Sequence, residues 1–213
     1  MIRAVLIINL FFISLTACRQ KTKDFFTGTI RYQYTYSSNT LNADSLAESR
    51  PAAAVFRYDF ANYQSMFTGK DTIIYYYAGK INKAVSAIGN PVSYSCEDYG
   101  QVTDSVLSVK LYDTTEKVLG YSCRVLEIQK KNSWVQYFVA KDLQIAPDTY
   151  ERHVAYNWDV YGKEAKGGLI LKLEHRFLRF TMKGEVRLLE KSNNPAFRAL
   201  EIDPVFFEKI CQN

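Results

Sequence analysis

The chain of 213 residues carries 27 Lys and Arg residues against 22 Asp and Glu residues, which gives a formal net charge of +5. Because the basic residues are scattered, the sequence lacks the dense basic surface of a nucleic-acid-binding protein, and we expect no nucleic-acid partner. Aromatic residues are unusually frequent, with 16 Tyr, 13 Phe and 2 Trp against 10 Gly and 5 Pro. Tyr and Phe favour strands, so this composition favours a β-rich fold.

The first residues have the pattern of a bacterial lipoprotein signal peptide. A basic start precedes an apolar run over residues 4–13, which is too short to cross a bilayer because a spanning helix needs about 20 residues. Leu15-Thr16-Ala17-Cys18 then matches the lipobox, in which a small residue precedes the cysteine that receives the lipid. We predict a signal peptide over residues 1–17, lipidation of Cys18 and a tether over residues 18–25. A buried N-terminal strand or helix is the alternative.

Alternation of aromatic and polar side chains predicts the first strand after this tether. From Gly28 to Tyr36, every second residue from Ile30 onwards is apolar or aromatic and the others are polar, which is typical of a sheet with one buried face. Residues 37–54 are predicted to form a loop with a helical turn. Further strand-like runs follow at residues 56–60, 63–67, 72–77, 92–99 and 106–112, and residues 118–128 are predicted to form a hairpin with residues 134–140.

The clearest helical pattern comes later in the chain. The residues that recur at helical spacing and would form one apolar stripe are Tyr150, Val154, Trp158 and Tyr161. Asp148 is predicted to cap the start of this helix, and Gly162 is predicted to end it.

The remaining elements complete a single domain over residues 26–213. Two more strands are expected, one over residues 169–174 and one around Val186, followed by an edge strand near Leu200 and a short helix from Pro204. The fold class predicted is mainly β (α+β). Its architecture is one curved antiparallel sheet of roughly nine to eleven strands, covered by one or two helices.

Three short segments resemble a group of small exported proteins of Bacteroidetes type. They are Phe26-Thr27-Gly28-Thr29-Ile30-Arg31-Tyr32, Lys117-Val118-Leu119-Gly120-Tyr121-Ser122-Cys123 and Gly168-Leu169-Ile170-Leu171. In this order and behind a lipobox they are similar to the GLPGLI and DUF4412-like groups, which look like relatives of the lipoprotein carriers LolA and LolB. Residues 166–170 depart from the GLPGLI pattern because they lack its proline. The resemblance implies a half-open LolA-like β-barrel with an apolar concave face closed by helices.

The expected location is the bacterial cell envelope, with the lipid on Cys18 as the membrane anchor. Lys21 and Lys23 follow this cysteine, without an early acidic cluster of the kind linked to surface export in similar Bacteroidetes lipoproteins. We therefore expect an anchor in the outer membrane that faces the periplasm.

Outside the cytoplasm, two of the three remaining cysteines are expected to form a disulfide. Cys96, Cys123 and Cys211 allow three pairings. We favour Cys96 with Cys123, because both fall in strand-like segments of the predicted central sheet. The alternative is that these thiols remain free and buried.

The sequence lacks the patterns of common catalytic and metal sites. His153 and His175 are the only histidines, and their spacing matches no zinc-binding motif, so we expect no metal and no cofactor. The sequence also contains no nucleophile elbow, phosphate-binding glycine loop or dinucleotide fingerprint. We predict a non-catalytic protein.

Aromatic residues on the predicted inner face supply the candidate ligand-binding site. A tyrosine ring covers apolar surface while its hydroxyl can meet a polar head group, which suits an amphipathic ligand. The alternative is that these residues only pack a helix against the sheet. The candidates are Tyr32, Tyr34, Tyr36, Tyr75, Tyr77, Trp134, Phe138 and Trp158.

The sequence therefore predicts a membrane-anchored periplasmic lipoprotein that binds a lipid, an acyl group or another hydrophobic ligand without catalysis. The alternative function is a structural or assembly subunit that holds another cell-envelope protein through a sheet edge or the aromatic face. An open cavity would favour the ligand-binding protein, whereas a filled core with an exposed apolar patch would favour the subunit.

Overall fold

The computed structural model describes residues 24–60, 62–89, 92–101, 104–146, 150–192 and 204–211. The predicted signal peptide, Cys18 and most of the tether lie outside these residues. The strands are β1 (Gly28–Ser37), β2 (Ala53–Asp59), β3 (Asn62–Thr68), β4 (Thr72–Ala78), β5 (Lys83–Ile88), β6 (Ser93–Asp98), β7 (Val106–Val118), β8 (Tyr121–Lys130), β9 (Ser133–Gln144), β10 (Gly168–Phe177) and β11 (Thr181–Lys191). The helices are α1 (Ala43–Glu48), α2 (Trp158–Glu164) and α3 (Pro204–Cys211).

All eleven strands belong to one antiparallel sheet, in the order β6-β5-β4-β3-β2-β1-β11-β10-β9-β8-β7. The chain starts at the central strand β1, runs outwards to one edge at β6, passes to the other edge at β7 and returns inwards to β11 beside β1. Every neighbouring pair except β1 and β11 is consecutive in the chain, so short hairpins build most of the sheet. The predicted mainly β class with a single antiparallel sheet is confirmed.

The connection between the two edge strands requires this sheet to curve. In a flat sheet of eleven strands, β6 and β7 would lie roughly 48 Å apart. The chain passes from Asp98 at the end of β6 to Val106 at the start of β7, a stretch that can span at most roughly 28 Å. The sheet therefore curls until its edges approach each other, which gives it a concave inner face.

The alternation predicted for β1 is present in the structure and defines the two faces. Ile30, Tyr32 and Tyr34 are buried on the inner face, while Arg31 and Gln33 between them are exposed. Residues 150–164 cover part of the inner face. β1 lies between the two arms of the sheet, so its aromatic side chains reach residues from both arms.

The predicted helix over residues 150–161 is wrong in its first half. The described chain has turns from Tyr150, a short 3₁₀ helix at Ala155–Asn157, and an α-helix only from Trp158. Tyr156 and Asn157 have positive φ angles of 59° and 63°, a left-handed conformation that interrupts a right-handed helix. The helix also runs through Gly162 to Glu164. The proposed cap, Asp148, lies outside the described residues.

The sequence did not predict β5, and it predicted β7 only over residues 106–112. β5, with the sequence Lys-Ala-Val-Ser-Ala-Ile, is rich in small side chains and has no clear alternation. β7 continues through a polar stretch to Val118, where Leu119 and Gly120 form a two-residue turn. Both turn residues have positive φ angles, 49° and 82°, as the favoured tight hairpin turns require. The strand predicted near Leu200 lies outside the described residues, whereas the helix predicted from Pro204 is present as α3.

The predicted disulfide between Cys96 and Cys123 is wrong. Cys96 on β6 is bonded to Cys211 in α3, with a Cα–Cα distance of 5.1 Å. Cys123 is a buried free thiol on β8, next to the opposite edge of the sheet from β6. Both cysteines lie in strands, as predicted, but strand membership does not give the distance between two residues of a wide sheet, and a disulfide needs Cα atoms within about 7 Å.

We expect the Cys96–Cys211 disulfide to contribute about 2–4 kcal/mol to the free energy of unfolding, because it closes a long loop of chain and holds α3 against β6. Urea unfolding should show this loss in a Cys96→Ser/Cys211→Ser double variant and in the reduced wild type. The reductant should have no further effect on the double variant, and a Cys123→Ala variant should keep the full response to reductant. Equal stability of wild type and double variant would contradict the expectation.

Candidate ligand-binding cavity

A cavity of about 400 Å³ lies on the concave face of the sheet and opens to solvent on one side. Its volume falls in the range of about 300–1,000 Å³ that is typical of small-molecule sites. Most of the lining is aromatic or aliphatic. The lining residues are Tyr32, Tyr34, Pro51, Phe56, Tyr58, Tyr63, Ser65, Phe67, Ile73, Tyr75, Tyr99, Lys130, Tyr137, Tyr156, Trp158, Ile170, Leu173, His175 and Met182.

Cross-strand rows of side chains on β2, β3 and β4 form one wall. Directly opposed residues of neighbouring antiparallel strands share a face, so Phe56, Ser65 and Tyr75 form one row across the three strands. Ser65 is the small residue in the middle of this row, and its two neighbours are large rings. Cavity space therefore remains above Ser65, between these rings.

The opposite wall comes from β8 to β11. The inward positions there include Lys130, Tyr137, Leu173 and His175. The register between β9 and β10 shifts on both sides of Ile170, and the carbonyl oxygen of Ile170 accepts a hydrogen bond from the hydroxyl of Tyr32. This irregularity in the ladder thus gives the buried Tyr32 hydroxyl a partner and ties β1 to β10 along the cavity wall.

Four of the eight predicted cavity residues line the cavity: Tyr32, Tyr34, Tyr75 and Trp158. Tyr32 and Tyr34 stack nearly parallel, with ring centroids 6.2 Å apart and an interplanar angle of 4°. Trp158 at the start of α2 stacks on Tyr63 of β3 at 5.4 Å, which holds the covering segment against the sheet.

Two predicted residues share the inner face but do not line the cavity. Tyr36, at the end of β1, donates its hydroxyl hydrogen to the carbonyl oxygen of Pro51 at 2.7 Å and so packs beside the cavity. Tyr77 is fully buried, and its hydroxyl bonds Asn82 Oδ1 at 3.0 Å. Tyr77 belongs to the packed layer between the sheet and residues 150–158.

The prediction is wrong for Trp134 and Phe138, which lie on the outer face of β9. The guanidinium of Arg176 lies 4.4 Å from the ring centre of Trp134, and the ammonium of Lys172 lies 4.6 Å from that of Phe138. The β9 residues that alternate with these two, including Tyr137, face inwards. The two cations cover these rings, and Phe138 is only 8% exposed, so aromatic residues alone do not show which face lines the cavity.

Several cavity residues were not singled out from the sequence, among them Tyr58, Tyr63 and Tyr137. Tyr58 and Tyr63 are opposed to each other across the β2–β3 hairpin, and this pairing of two predicted strands was the signal that could have identified them. Lys130 lies between the predicted strands 118–128 and 134–140, where a turn was expected, whereas it is the last residue of β8 and only 5% exposed.

Burial makes the cavity hydroxyls poor acids, because the charged form would lose its hydration. It raises the pKa of Tyr137 to about 12 and raises the pKa of Tyr34 and Tyr58 further. These three hydroxyls make no hydrogen bond within the described part of the chain. They therefore remain neutral at physiological pH and can each donate or accept a hydrogen bond to a bound molecule.

Lys130 and His175 form the polar part of the lining. Burial lowers the pKa of Lys130, and the Asp104 carboxylate opposes this shift. Burial, followed by the positive charge of Lys130, lowers the pKa of His175 to about 4. A neutral imidazole thus lies near a buried ammonium at this end of the cavity.

His153 is the centre of a packed aromatic cluster behind the cavity. It is fully buried, and its Nε2 lies 3.0 Å from the hydroxyl of Tyr63. The rings of Tyr77 and Tyr99 lie 4.6 and 4.4 Å from the imidazole, and Trp158 stacks on it at 5.5 Å. Burial lowers the pKa of His153 to about 4, so the ring is neutral and acts as a packing residue.

Within the described residues, no group of three or more His, Cys, Asp and Glu side chains is placed to hold a metal ion. No helix in the same part of the chain is long and apolar enough to cross a membrane.

Fold and site together define a mainly β protein in which one open, curved sheet surrounds an aromatic-lined cavity. Two solved structures of PNGF-II, in the P21 and C2 space groups, are similar to the chain at 13% and 12% sequence identity, with TM-scores of 0.49 and 0.47. The alignments cover 82% and 87% of this chain and 30% and 33% of those chains, so the chain spans about a third of their length. No protein-family model and no curated protein matches the chain.

The buried histidines predict a loss of stability in mild acid. The pKa of His153 in the folded state is about 4, below the ordinary value of 6.5, so the unfolded chain binds protons first as the pH falls. The stabilisation is complete above about pH 6.5 and is lost as the pH falls towards 4; at pH 5 the loss is about 2 kcal/mol for each such histidine.

Urea unfolding at pH 7 and pH 5 should show this loss in the wild type, to which His153 and His175 both contribute. A His153→Phe variant keeps a ring in the aromatic cluster and should lose only about half as much between the two pH values. A pH dependence identical to that of the wild type would show that His153 is not buried in its neutral form.

Gly184 on β11 provides the space that the Tyr34 ring occupies. A Cβ atom at this position would lie 2.6 Å from Tyr34 Cε1 and 3.2 Å from Leu173 Cγ. We expect Gly184→Ala to push the Tyr34 ring into the cavity and to lower the free energy of unfolding by about 1–3 kcal/mol. In a Tyr34→Leu background the same change should cost clearly less, and an equal cost in both backgrounds would contradict this account.

Proposed function

We propose that this protein binds a lipid, an acyl group or another hydrophobic ligand in the cavity and does so without catalysis. The observation that carries the proposal is the cavity itself, about 400 Å³ in volume, accessible from solvent and lined mainly by aromatic side chains. A sheet that only served as a scaffold would fill this space with its own side chains, because protein interiors pack about as densely as organic crystals.

The lining suits a flexible apolar chain. Burial of each methylene group contributes about 0.8 kcal/mol, so roughly ten methylenes would contribute about 8 kcal/mol before the cost of association. Tyr34, Tyr58 and Tyr137 add hydroxyls that make no hydrogen bond within the described chain. The cavity can therefore accept an apolar body and still bind polar atoms of the same ligand.

The proposed setting is the cell envelope, with the protein anchored by a lipid on Cys18 and facing the periplasm from the outer membrane. The Leu-Thr-Ala-Cys lipobox supports the anchor. The Cys96–Cys211 disulfide supports an exported protein, because structural disulfides persist in oxidising compartments and are rare in the cytosol. A lipidated anchor would keep the cavity close to a source of acyl chains.

A second candidate function, a subunit that holds another envelope protein, is favoured by the edge strand β7. This strand is 13 residues long and includes Leu107, which is 65% exposed. Exposed edge strands can pair with a strand of a partner. Charged residues such as Lys110 and Lys117 also lie on β7, and charges on an edge are a common device against such pairing.

Native mass spectrometry of the chain from residue 19, which keeps every described element, tests the ligand-binding proposal. The protein should be purified from an expressing bacterium, and the dissociated molecules should be identified by lipid analysis. We expect a stoichiometric acyl-bearing ligand.

A matched pair of serine variants makes this experiment specific for the cavity. Ser65→Phe places a ring in the cavity, and we expect it to reduce ligand occupancy at least fivefold. Ser108→Phe makes the same change at an exposed position of β7 and should leave occupancy unchanged. Equal occupancy in both variants would place the ligand elsewhere, and an empty wild type with a stable partner in envelope extracts would favour the subunit.

A further inference from the structure

Lys130 is a mostly buried cation, and its acidic neighbour Asp104 makes no salt bridge with it. Its residue is 5% exposed and lines the cavity, and its ammonium makes neither a hydrogen bond nor a salt bridge within the described residues. The nearest acidic influence is Asp104, whose carboxylate accepts a hydrogen bond from Ser133 Oγ at 3.3 Å. A buried charge without a paired counter-charge is costly, which makes such a residue a candidate for binding.

A second unpartnered group faces the same end of the cavity. His175 Nε2 is buried and has no hydrogen-bond partner in the described chain. His175 on β10 is opposed to Val135 of β9, which is opposed to Ile128, two residues before Lys130 on β8. Lys130 and His175 therefore lie on the same inner face, two strands apart. The ring of His175 stacks on Phe177 at 3.9 Å, which holds the imidazole in place.

The two side chains together offer what an oxyanion needs. A lysine ammonium supplies positive charge and three donors, and a neutral imidazole protonated on Nε2 supplies one more donor. Hydrogen bonds to ionised groups are about twice as strong as those between neutral groups, and a low-dielectric surrounding strengthens them further. The remaining wall of the cavity is mostly aromatic or aliphatic and would contact only the apolar part of such a ligand.

We propose that the ligand of this cavity is an amphipathic anion, whose carboxylate or phosphate head group binds between Lys130 and His175 and whose apolar chain lies along the aromatic wall. This inference rests on the proposed function, since it specifies the head group of the hydrophobic ligand. It makes Lys130 a specificity-determining residue that discriminates acidic from neutral ligands of the same chain length.

The test compares decanoate, decyl phosphate and decanol, which share a ten-carbon chain and differ in head group. Each is titrated calorimetrically into the full chain held in lipid nanodiscs, and the heat of empty discs is subtracted. We expect the wild type to bind at least one of the two anions at least tenfold more tightly than decanol. The better anion shows whether a carboxylate or a phosphate fits the head-group site.

Two charge-removing variants separate a head-group role from a general electrostatic effect. Lys130→Met keeps an unbranched side chain of similar length and should lose at least tenfold in anion affinity while decanol affinity stays within twofold of wild type. Lys172→Met removes the same charge from the outer face, over Phe138, and should change neither affinity beyond twofold. His175→Phe keeps the stack on Phe177 and should weaken anion binding about threefold or more.

The possible outcomes distinguish this inference from the proposed function. Equal binding of decanol and both anions by the wild type, or unchanged anion binding by Lys130→Met, would overturn the inference and leave hydrophobic ligand binding intact. No binding of any of the three probes would overturn both. Because Lys130→Met removes a buried charge, it should unfold at the same temperature as wild type or higher, which guards against an effect of misfolding.

Discussion

The short passage of the chain from one sheet edge to the other is the constraint on which the cavity depends. Because Asp98 and Val106 are joined by so few residues, the eleven strands cannot lie flat. The resulting curvature turns the inner side chains of β2–β4 towards those of β8–β10. Tyr32 on the central strand β1 then reaches the carbonyl oxygen of Ile170 on β10. The cavity is thus a consequence of topology, and individual side chains determine its size.

The tyrosines around this cavity carry hydroxyls that packing alone does not require. Phenylalanine would fill the same volume without the cost of burying a polar group, which is about 1–3 kcal/mol for each unpaired group. Tyr32, Tyr63 and Tyr77 have hydrogen-bond partners inside the protein. Tyr34 and Tyr137 have none in the described chain, and both line the cavity. Their hydroxyls therefore lie where water or a ligand can bind them.

The local pattern predicted most of the strands and the class of the fold, but it assigned a buried face only where the other face of the strand is clearly polar. The alternation in β1 marked its buried face because the residues between the aromatic ones, such as Arg31 and Gln33, are polar. On β9 both sets of alternating positions carry aromatic rings, with Trp134 in one set and Tyr137 in the other, so the face of Trp134 follows only from the register to β8 and β10. The disulfide prediction was wrong for a related reason, because membership of a strand does not give its position in the sheet. Cys96 lies on the edge strand β6, whereas Cys123 lies on β8, beside the opposite edge. Lys130 was missed because a lysine next to a turn is usually exposed.

A cavity of this size persists only if its walls resist collapse, since the surrounding side chains otherwise relax into empty space. The stacked cluster around His153 holds the covering segment against β3 and β4, through Trp158 on Tyr63. On the other side, Gly184 leaves the Tyr34 ring no freedom to move towards β11, because the ring already lies against the glycine backbone. Walls held in this way lose little conformational freedom when a ligand binds, so more of the burial energy remains as affinity. Lys130 is only 5% exposed on this wall, and the low-dielectric surrounding strengthens the attraction of its charge for an anionic head group.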